Sequence, residues 1–566
     1  MKKILLLAVI VVLSATAALA HDFMVDGIYY KINSDSVTVS VTYKGTSAST
    51  SMVYSGNVVI PSEVTFNDKT YSVTKIGGSA FVDCATLTGV ELPNTVTSIG
   101  RDAFLRCESL RSVNIPDSVT FIGTDAFARC LSLTEIYIPS LVTLIETEAF
   151  SWCYGLQRIV VDENNTAYDS RENCNAIIKT SNNEMIAASL NSFIPNSVQR
   201  LGRGLFNGFS WMTQIDLPSS LVYIGEYVFC NCSGLTNVDI PNSVTEIASC
   251  AFSGCTGLTE IVIPPSVKTI ATHAFMDCTG LTSIHIPASV TTIGGNIITH
   301  CNNVASITVD PANRLYDSRD NCNAIIETST GKLKVGCNYS TIPENVYWID
   351  MMAFVGCNKM THIELPSTLI NISHGAFKGC SSLTEIIFPS SLRSINDEAF
   401  RDCTGLKKIV LNEGLQYIGN FGFFNCKNVE TITLPSTLTS IGDYCFDDCA
   451  SLQDITSLAT TPPSMGSYWS FMPSLYNSAT LHVPEESLDA YRTAYYWKYF
   501  TNIEVISTFI PGDINGDNEV TIADVTTLID MLLNGDELPA WADVNGDSVV
   551  TIKDVTDLID MLLGGN

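Results

Sequence analysis

One spacing limits what this chain can fold into: Phe81, Phe104, Phe127 and Phe150 stand 23 residues apart. Cys84, Cys107, Cys130 and Cys153 keep the same phase, as do Pro93, Pro116 and Pro139. The unit reads A-F-x-x-C-x-x-L-x-x-I-x-I-P-x-S-V-x-x-I-G. It returns at Phe206, Phe229, Phe252 and Phe275, then at Phe354, Phe377, Phe400, Phe423 and Phe446. A fixed period in the twenties predicts a solenoid in which each coil covers its neighbour's apolar edge. Such a rod offers a long face more readily than a closed pocket, so binding is expected before catalysis.

Of 566 residues, 46% are hydrophobic and only 16% charged, enough apolar surface for an extended core. The net charge of −28 argues against nucleic acid or an anionic membrane as partner, since both want basic patches. Residues 1–20 read as a signal peptide: Lys2 and Lys3, an apolar run Ile4 to Leu13, and the cleavage tripeptide Ala18-Leu19-Ala20. The mature chain would begin at His21, outside the cell or on its surface, and no later stretch reaches membrane-spanning length.

Thirteen of the 19 cysteines share one repeat position. In-register neighbours on adjacent coils lie roughly 4.8 Å apart with parallel Cβ vectors. A disulfide wants Cβ atoms facing each other at about 3.8 Å. The ladder is therefore read as buried thiols acting as small hydrophobes. Cys174, Cys230, Cys250, Cys322, Cys337 and Cys445 fall off the ladder and are the better disulfide candidates.

Residues 21–75 lack the repeat and alternate as strands, for instance Val37 to Tyr43 and Val58 to Ile60. They are placed to cap the first coil. The repeats then run over 76–456, about 14 coils. Each is expected to hold a strand such as Leu258 to Ile263, closed by a proline, with Leu258, Ile261 and Ile263 inward and Phe252 in the core. Inserts near 160–195 and 308–343 carry matching segments, Tyr168 to Ile178 and Tyr316 to Ile326. They lie 148 residues apart, which points to a duplicated block. Insertions collect on one face and can recognise ligands; a β-hairpin that continues the stack is the preferred reading. Residues 457–507 close the rod, with Thr480 to Val483 as its last strand, a helix from Ser487 to Tyr496, and capping aromatics Tyr495, Tyr496, Trp497, Tyr499 and Phe500.

Residues 510–566 hold twelve acidic residues and one lysine, Lys553. Asp513 to Asp524 and Asp543 to Asp554 match 30 residues apart, each with oxygen side chains at positions 1, 3, 5, 9 and 12 of a twelve-residue loop. That spacing wraps a hard cation. The expected ligands are Asp513, Asn515, Asp517, the Glu519 carbonyl, Thr521 and Asp524 for one calcium ion. For a second they are Asp543, Asn545, Asp547, the Val549 carbonyl, Thr551 and Asp554. Asn518 and Ser548 replace the usual glycine at position 6, and aspartate replaces glutamate at position 12. Each loop feeds an amphipathic helix, Val525 to Leu533 and Val555 to Leu563. So small a unit needs the metal's folding energy.

The 23-residue unit resembles the BspA-type, or Treponema-type, leucine-rich repeats, and the 508–566 tail resembles a type I dockerin. The first resemblance implies an α/β repeat solenoid with a parallel β-sheet on its concave face, in a secreted or surface protein of the kind that includes adhesins. The second implies a small all-α calcium-binding domain docking to a cohesin-like partner, within assemblies that degrade polysaccharide. In dockerins loop positions 10 and 11 help choose the cohesin; here they are Ile522-Ala523 and Ile552-Lys553, not the familiar Ser-Thr pair.

The function expected is non-catalytic binding of an extracellular protein, on a host or bacterial surface. Outward strand positions should line the face: Glu91, Asn114, Tyr137, Asp216, Asp239, Val262, His285, Glu364, Ile387 and Val410. The alternative is a glycan-binding or accessory subunit of a polysaccharide-degrading assembly. No H-E-x-x-H, G-x-S-x-G or Walker motif suggests an enzyme.

Overall fold

Each coil of the rod is held to the next by hydrogen bonds on more than one side. The computed structural model describes residues 19–47, 53–506, 512–515, 520–534, 542–544 and 549–563. The signal segment to residue 18 and loop residues Asp517, Glu519, Asn545 and Asp547 lie outside them.

The continuous ladder runs through the V-x-x-I-G part of the repeat. Two-residue strands Ser98–Ile99, Phe121–Ile122 and Leu144–Ile145 pair in parallel, Phe121 opposite Ser98 and Leu144. A register step of 23 is the sequence period made visible. The ladder resumes through Arg200–Leu201 to Thr292–Ile293 and again through Trp348–Ile349 to Ser464–Met465. The L-x-x-I-x-I segment, expected as the strand of every coil, pairs only in patches, such as Glu135–Ile138 with Arg158–Val161 and Ser283–Ile286 with Ser306–Val309. Leu258 to Ile263 is not a strand. Its Leu258, Ile261 and Ile263 are nevertheless buried, as their spacing requires.

The A-F-x-x-C segment is a tight turn. Cys84 N–H donates to Phe81 O (3.1 Å), while Phe81 N–H reaches across to Ala103 O of the next coil (2.8 Å). The residue before the cysteine sits at positive φ, as in Asp83, Arg106, Arg129 and Gly254. Successive Phe rings stack face to face, 4.9 Å apart for Phe81 and Phe104 and 5.7 Å for Phe252 and Phe275. The column continues from Phe446 to Phe471 at 5.2 Å, so the stack runs one coil past the expected count.

At the start, Phe23–Val25, Ile28–Ile32 and Thr38–Thr42 form an antiparallel meander. Thr38–Thr42 then pairs in parallel with Lys69–Ile76 and so joins the ladder. At the far end Thr480–Val483 is not the last strand: Asn502–Val505 pairs beyond it. The expected helix is shorter, Leu488–Thr493. Trp497 and Phe500 are buried against Phe471, and Trp497 Nε1 donates to Pro463 O (2.7 Å).

The inserts do continue the stack. Tyr168–Asp169, Ala176–Lys179 and Glu184–Ala188 form an antiparallel trio whose last strand pairs in parallel with Arg200–Leu201. The middle strand is buried on both faces. Ile177 belongs to the N-terminal core; Ala176 and Ile178 belong to the next. Ile325 and its neighbours Ala324 and Ile326 divide the second core from the third in the same way. Two walls thus cut the apolar interior into three compartments.

In the tail, helices Ile522–Asn534 and Ile552–Leu562 pack on Val525, Leu528, Val555 and Leu558. Each begins three residues earlier than expected. Thr551 caps the second: its hydroxyl accepts from Lys553 N–H, and the Asp554 carboxylate accepts from Thr551 N–H (2.8 Å).

Candidate recognition face and calcium loops

The L-x-x-I-x-I edge brings Glu91, Tyr137, Asp216, Asp239, His285, Glu364 and Ile387 to the surface, all exposed. Inward neighbours alternate with them by the two-residue period. Glu91 and Tyr137 border a groove of about 820 Å³, with Asn57, Glu135 and Arg158 on its rim. Glu364 and Ile387 border another of about 340 Å³. Tyr137 donates to Asp162, whose carboxylate pushes the phenol up to about 12. His285 Nδ1 lies 2.9 Å from Thr308 Oγ1 one coil on. Val262 is 72% and Ile387 51% exposed, so the face mixes acidic and greasy positions. Asn114 is exposed with them, and of the expected column Val410 differs. Asn114 spends its amide on the preceding coil, accepting from Leu92 N–H (2.9 Å) and donating to Leu92 O (3.0 Å). Val410 is half-buried.

All 19 cysteines are free and buried. The ladder thiols are not merely small hydrophobes. Eleven of the thirteen donate down the stack to the carbonyl of the preceding coil's phenylalanine, among them Cys107 to Phe81 O (3.0 Å), Cys255 to Phe229 O (3.1 Å) and Cys403 to Phe377 O (3.1 Å). The off-ladder cysteines, expected as disulfide candidates, are thiols too. They fill core positions, and Cys174 and Cys322 make matched contacts with Ser170 and Ser318 (3.8 Å each). Burial raises their pKa values, and those of most ladder thiols, above the usual range, Cys278 and Cys449 to about 12.

Sequence reading gave the inserts a stacking role but assigned none to their individual residues; the structure does. Asn165 Nδ2 donates to Pro139 O (2.7 Å) and Val142 O (3.0 Å), while its Oδ1 accepts from Ala167 and Tyr168 N–H (2.9 Å each). Tyr168 OH accepts from Ile145 N–H (2.8 Å), completing the last rung of the first ladder. Arg171 grips Asp169 with two bonds (2.8 and 2.7 Å) across a turn where Glu172 and Asn173 have positive φ. Asn313, Tyr316, Arg319 and Asp317 repeat every one of these contacts. The signal was the identical Asp-Ser-Arg-x-Asn-Cys-Asn run.

In the tail loops, Asp524 is fully buried. Its Oδ1 accepts from Ile514 N–H (2.8 Å) and Asn515 N–H (3.0 Å), its Oδ2 from Thr521 N–H (2.8 Å). Burial alone would raise its pKa, but these backbone donors together hold it below the usual carboxylate range. Asp554 is placed alike, accepting from Val544 and Thr551 N–H (2.9 and 2.8 Å). Asp513, at position 1, is also buried, and Asn515, Asp543, Val549 and Thr551 lie in the same two loops. Among the described residues no cluster of three or more carboxylate, histidine or cysteine side chains forms a complete metal site. The donors present are hard oxygens, and they fit calcium rather than a soft metal. At the helix starts Ile522 and Ile552 are 70% and 71% exposed, with Ala523 and Lys553 beside them, also exposed.

The family model for the BspA type leucine rich repeat region matches residues 74–187, 181–305 and 332–459. That for the dockerin type I domain matches 511–563. Among solved structures, a leucine rich cell surface protein from Faecalibacterium prausnitzii is 25% identical, with 77% of this chain and 94% of that one covered and a TM-score of 0.41. A leucine-rich repeat protein from Bacteroides ovatus is 24% identical over 86% and 100%, TM-score 0.32. One from Bacteroides capillosus is 32% identical over 25% and 97%, TM-score 0.21. A search of curated proteins finds no match. Among the described residues no helix is long and apolar enough to cross a membrane.

Proposed function

We propose, for a chain that belongs to the BspA-type leucine-rich repeat family and ends in a type I dockerin domain, a role as a secreted or surface-associated recognition protein without catalytic activity. Its rod binds an extracellular protein through the L-x-x-I-x-I face. Its tail binds two calcium ions and docks to a cohesin-like partner through Ile522, Ala523, Ile552 and Lys553. The observation that carries the reading is the exposed column of acidic, aromatic and aliphatic side chains on a rigid stack. Groups presented at one per coil complement an extended protein surface rather than enclose a substrate. Dockerin type I domains bind calcium, and the buried position-12 aspartates suit that role.

The test is a pull-down of surface proteins with the chain from residue 21, in calcium and in chelator. The reading expects one set of partners lost on chelation, through the tail, and another retained and weakened by Asp216→Lys with Asp239→Lys. Hydrolysis of labelled glycans by the pure chain would defeat the non-catalytic assignment. Capture of polysaccharide alone would favour an accessory subunit of a polysaccharide-degrading assembly.

A further inference from the structure

The duplicated block supplies its own control. Residues 154–216 and 302–364 are the same stretch 148 residues apart, so the fold asks the same of both. Yet Tyr154, Phe193, Phe209 and Trp211 stand in the first block where Asn302, Thr341, Cys357 and Lys359 stand in the second. Phe209 is a buried core residue, but Phe193 and Trp211 are half exposed, so the shared backbone does not demand those two.

In the first block three of the four, Phe193, Phe209 and Trp211, line a cleft of about 450 Å³ together with Met212, Gln214 and Asp216. Trp211 stacks on Phe209 (4.9 Å, 29°) and meets Tyr154 edge-on (5.8 Å, 88°). Tyr154 lies against Gly208, where a Cβ would come within 1.9 Å of its hydroxyl; the glycine admits the ring. Phe193 and Trp211 are each 47% exposed. In the second block Asn338 spans the corresponding gap, donating to Asn302 O (3.1 Å) and accepting from Lys359 N–H (2.9 Å), and Lys359 Nζ reaches Asn303 Oδ1 (2.7 Å).

We infer that the first-block cleft receives a lysine or arginine side chain of the protein bound by the rod. The methylene stem lies along Phe193 and Met212, the cationic head meets the face of Trp211, and Asp216 offsets its charge. An exposed aromatic wall ending in a carboxylate is the chemistry that selects a cation over a neutral chain. The chain's net charge of −28 favours a basic partner. The second block keeps the carboxylate, as Glu364, but sets its own cation, Lys359, where Trp211 stands. It should reject the same ligand. This rests on the proposed reading of the face as a protein-binding surface.

The test uses the whole chain and three capped hexapeptides that differ at one central residue: lysine, its neutral isostere norleucine, and glutamate. Because the second block carries lysine and threonine at these positions, Trp211→Lys with Phe193→Thr should fold, which circular dichroism checks. The expected result is binding of the lysine peptide at least tenfold tighter than norleucine, none for glutamate, and loss of at least tenfold in the double variant. Equal binding of lysine and norleucine peptides overturns the inference, as does an unaffected double variant. Saturable binding of a neutral oligosaccharide that the double variant abolishes, with no lysine preference, overturns it too. If the rod still captures its protein partners while the double variant changes nothing, this inference fails and the proposed function stands.

Discussion

The thiol ladder shows what one residue type does when a fold repeats it. Each cysteine is small enough to sit under the Phe column, and most give the phenylalanine carbonyl of the preceding coil a second hydrogen bond beside the one that closes its turn. Burial keeps these thiols neutral: Cys153, Cys232, Cys278 and Cys449 are each raised to about 12. An unfolded thiol ionises near pH 8.5. The stability these thiols contribute is therefore whole below that pH and erodes as pH climbs toward the folded value. Each of these four thiols should cost about 1.4 kcal/mol per pH unit across that window. Urea midpoints measured from pH 8 to 11 should fall steeply, and a Cys255→Ala, Cys278→Ala variant should show a shallower fall. A thiol reagent at pH 8 should label almost nothing in the native rod and all 19 cysteines after denaturation. Phe252 is fully buried between stacked rings. Phe252→Ala should cost about 3–5 kcal/mol, read by urea unfolding.

At the scale of elements, the inserts decide how long a stack can be. Coils of 23 residues leave a ladder edge at each end, and an open edge is a template for unwanted pairing. The trio Tyr168–Asp169, Ala176–Lys179 and Glu184–Ala188 closes one ladder and opens the next. Asn165 is the joint: four backbone groups depend on its amide. Asn165→Ala should lose ~3 kcal/mol or more, since each buried group left unpaired costs about 1–3 kcal/mol. Tyr168→Phe, which strands only the Ile145 N–H, should lose ~1–3 kcal/mol by the same rule. The matched Asn313→Ala and Tyr316→Phe should behave alike in urea titrations. A cost below ~0.5 kcal/mol for both asparagine variants would show that the walls are held by apolar packing alone. Leu258 to Ile263 shows where pattern reading stops. Its alternation fixes which side chains are buried but not whether neighbouring backbones pair, which depends on how closely adjacent coils approach at that edge.

For the whole molecule, two energy sources coexist. The rod is stabilised by contacts between neighbouring coils, added unit by unit. Among the described residues the tail's core centres on six buried side chains, and a unit of under sixty residues needs the metal's folding energy. Calorimetry should therefore show one transition that vanishes on chelation and another that stays; a single chelator-insensitive transition would overturn this. The sequence by itself determined the period, the inward phenylalanines, the thiol ladder, the duplicated inserts and the paired acidic loops, because each depends on residue spacing that chain geometry converts directly into position. Tertiary structure alone decided which edge carries the continuous ladder, that the inserts divide the core into compartments, and that Phe193 meets Phe209 and Trp211 at one cleft. Those depend on contacts between residues whose distance along the chain says nothing of their distance in space.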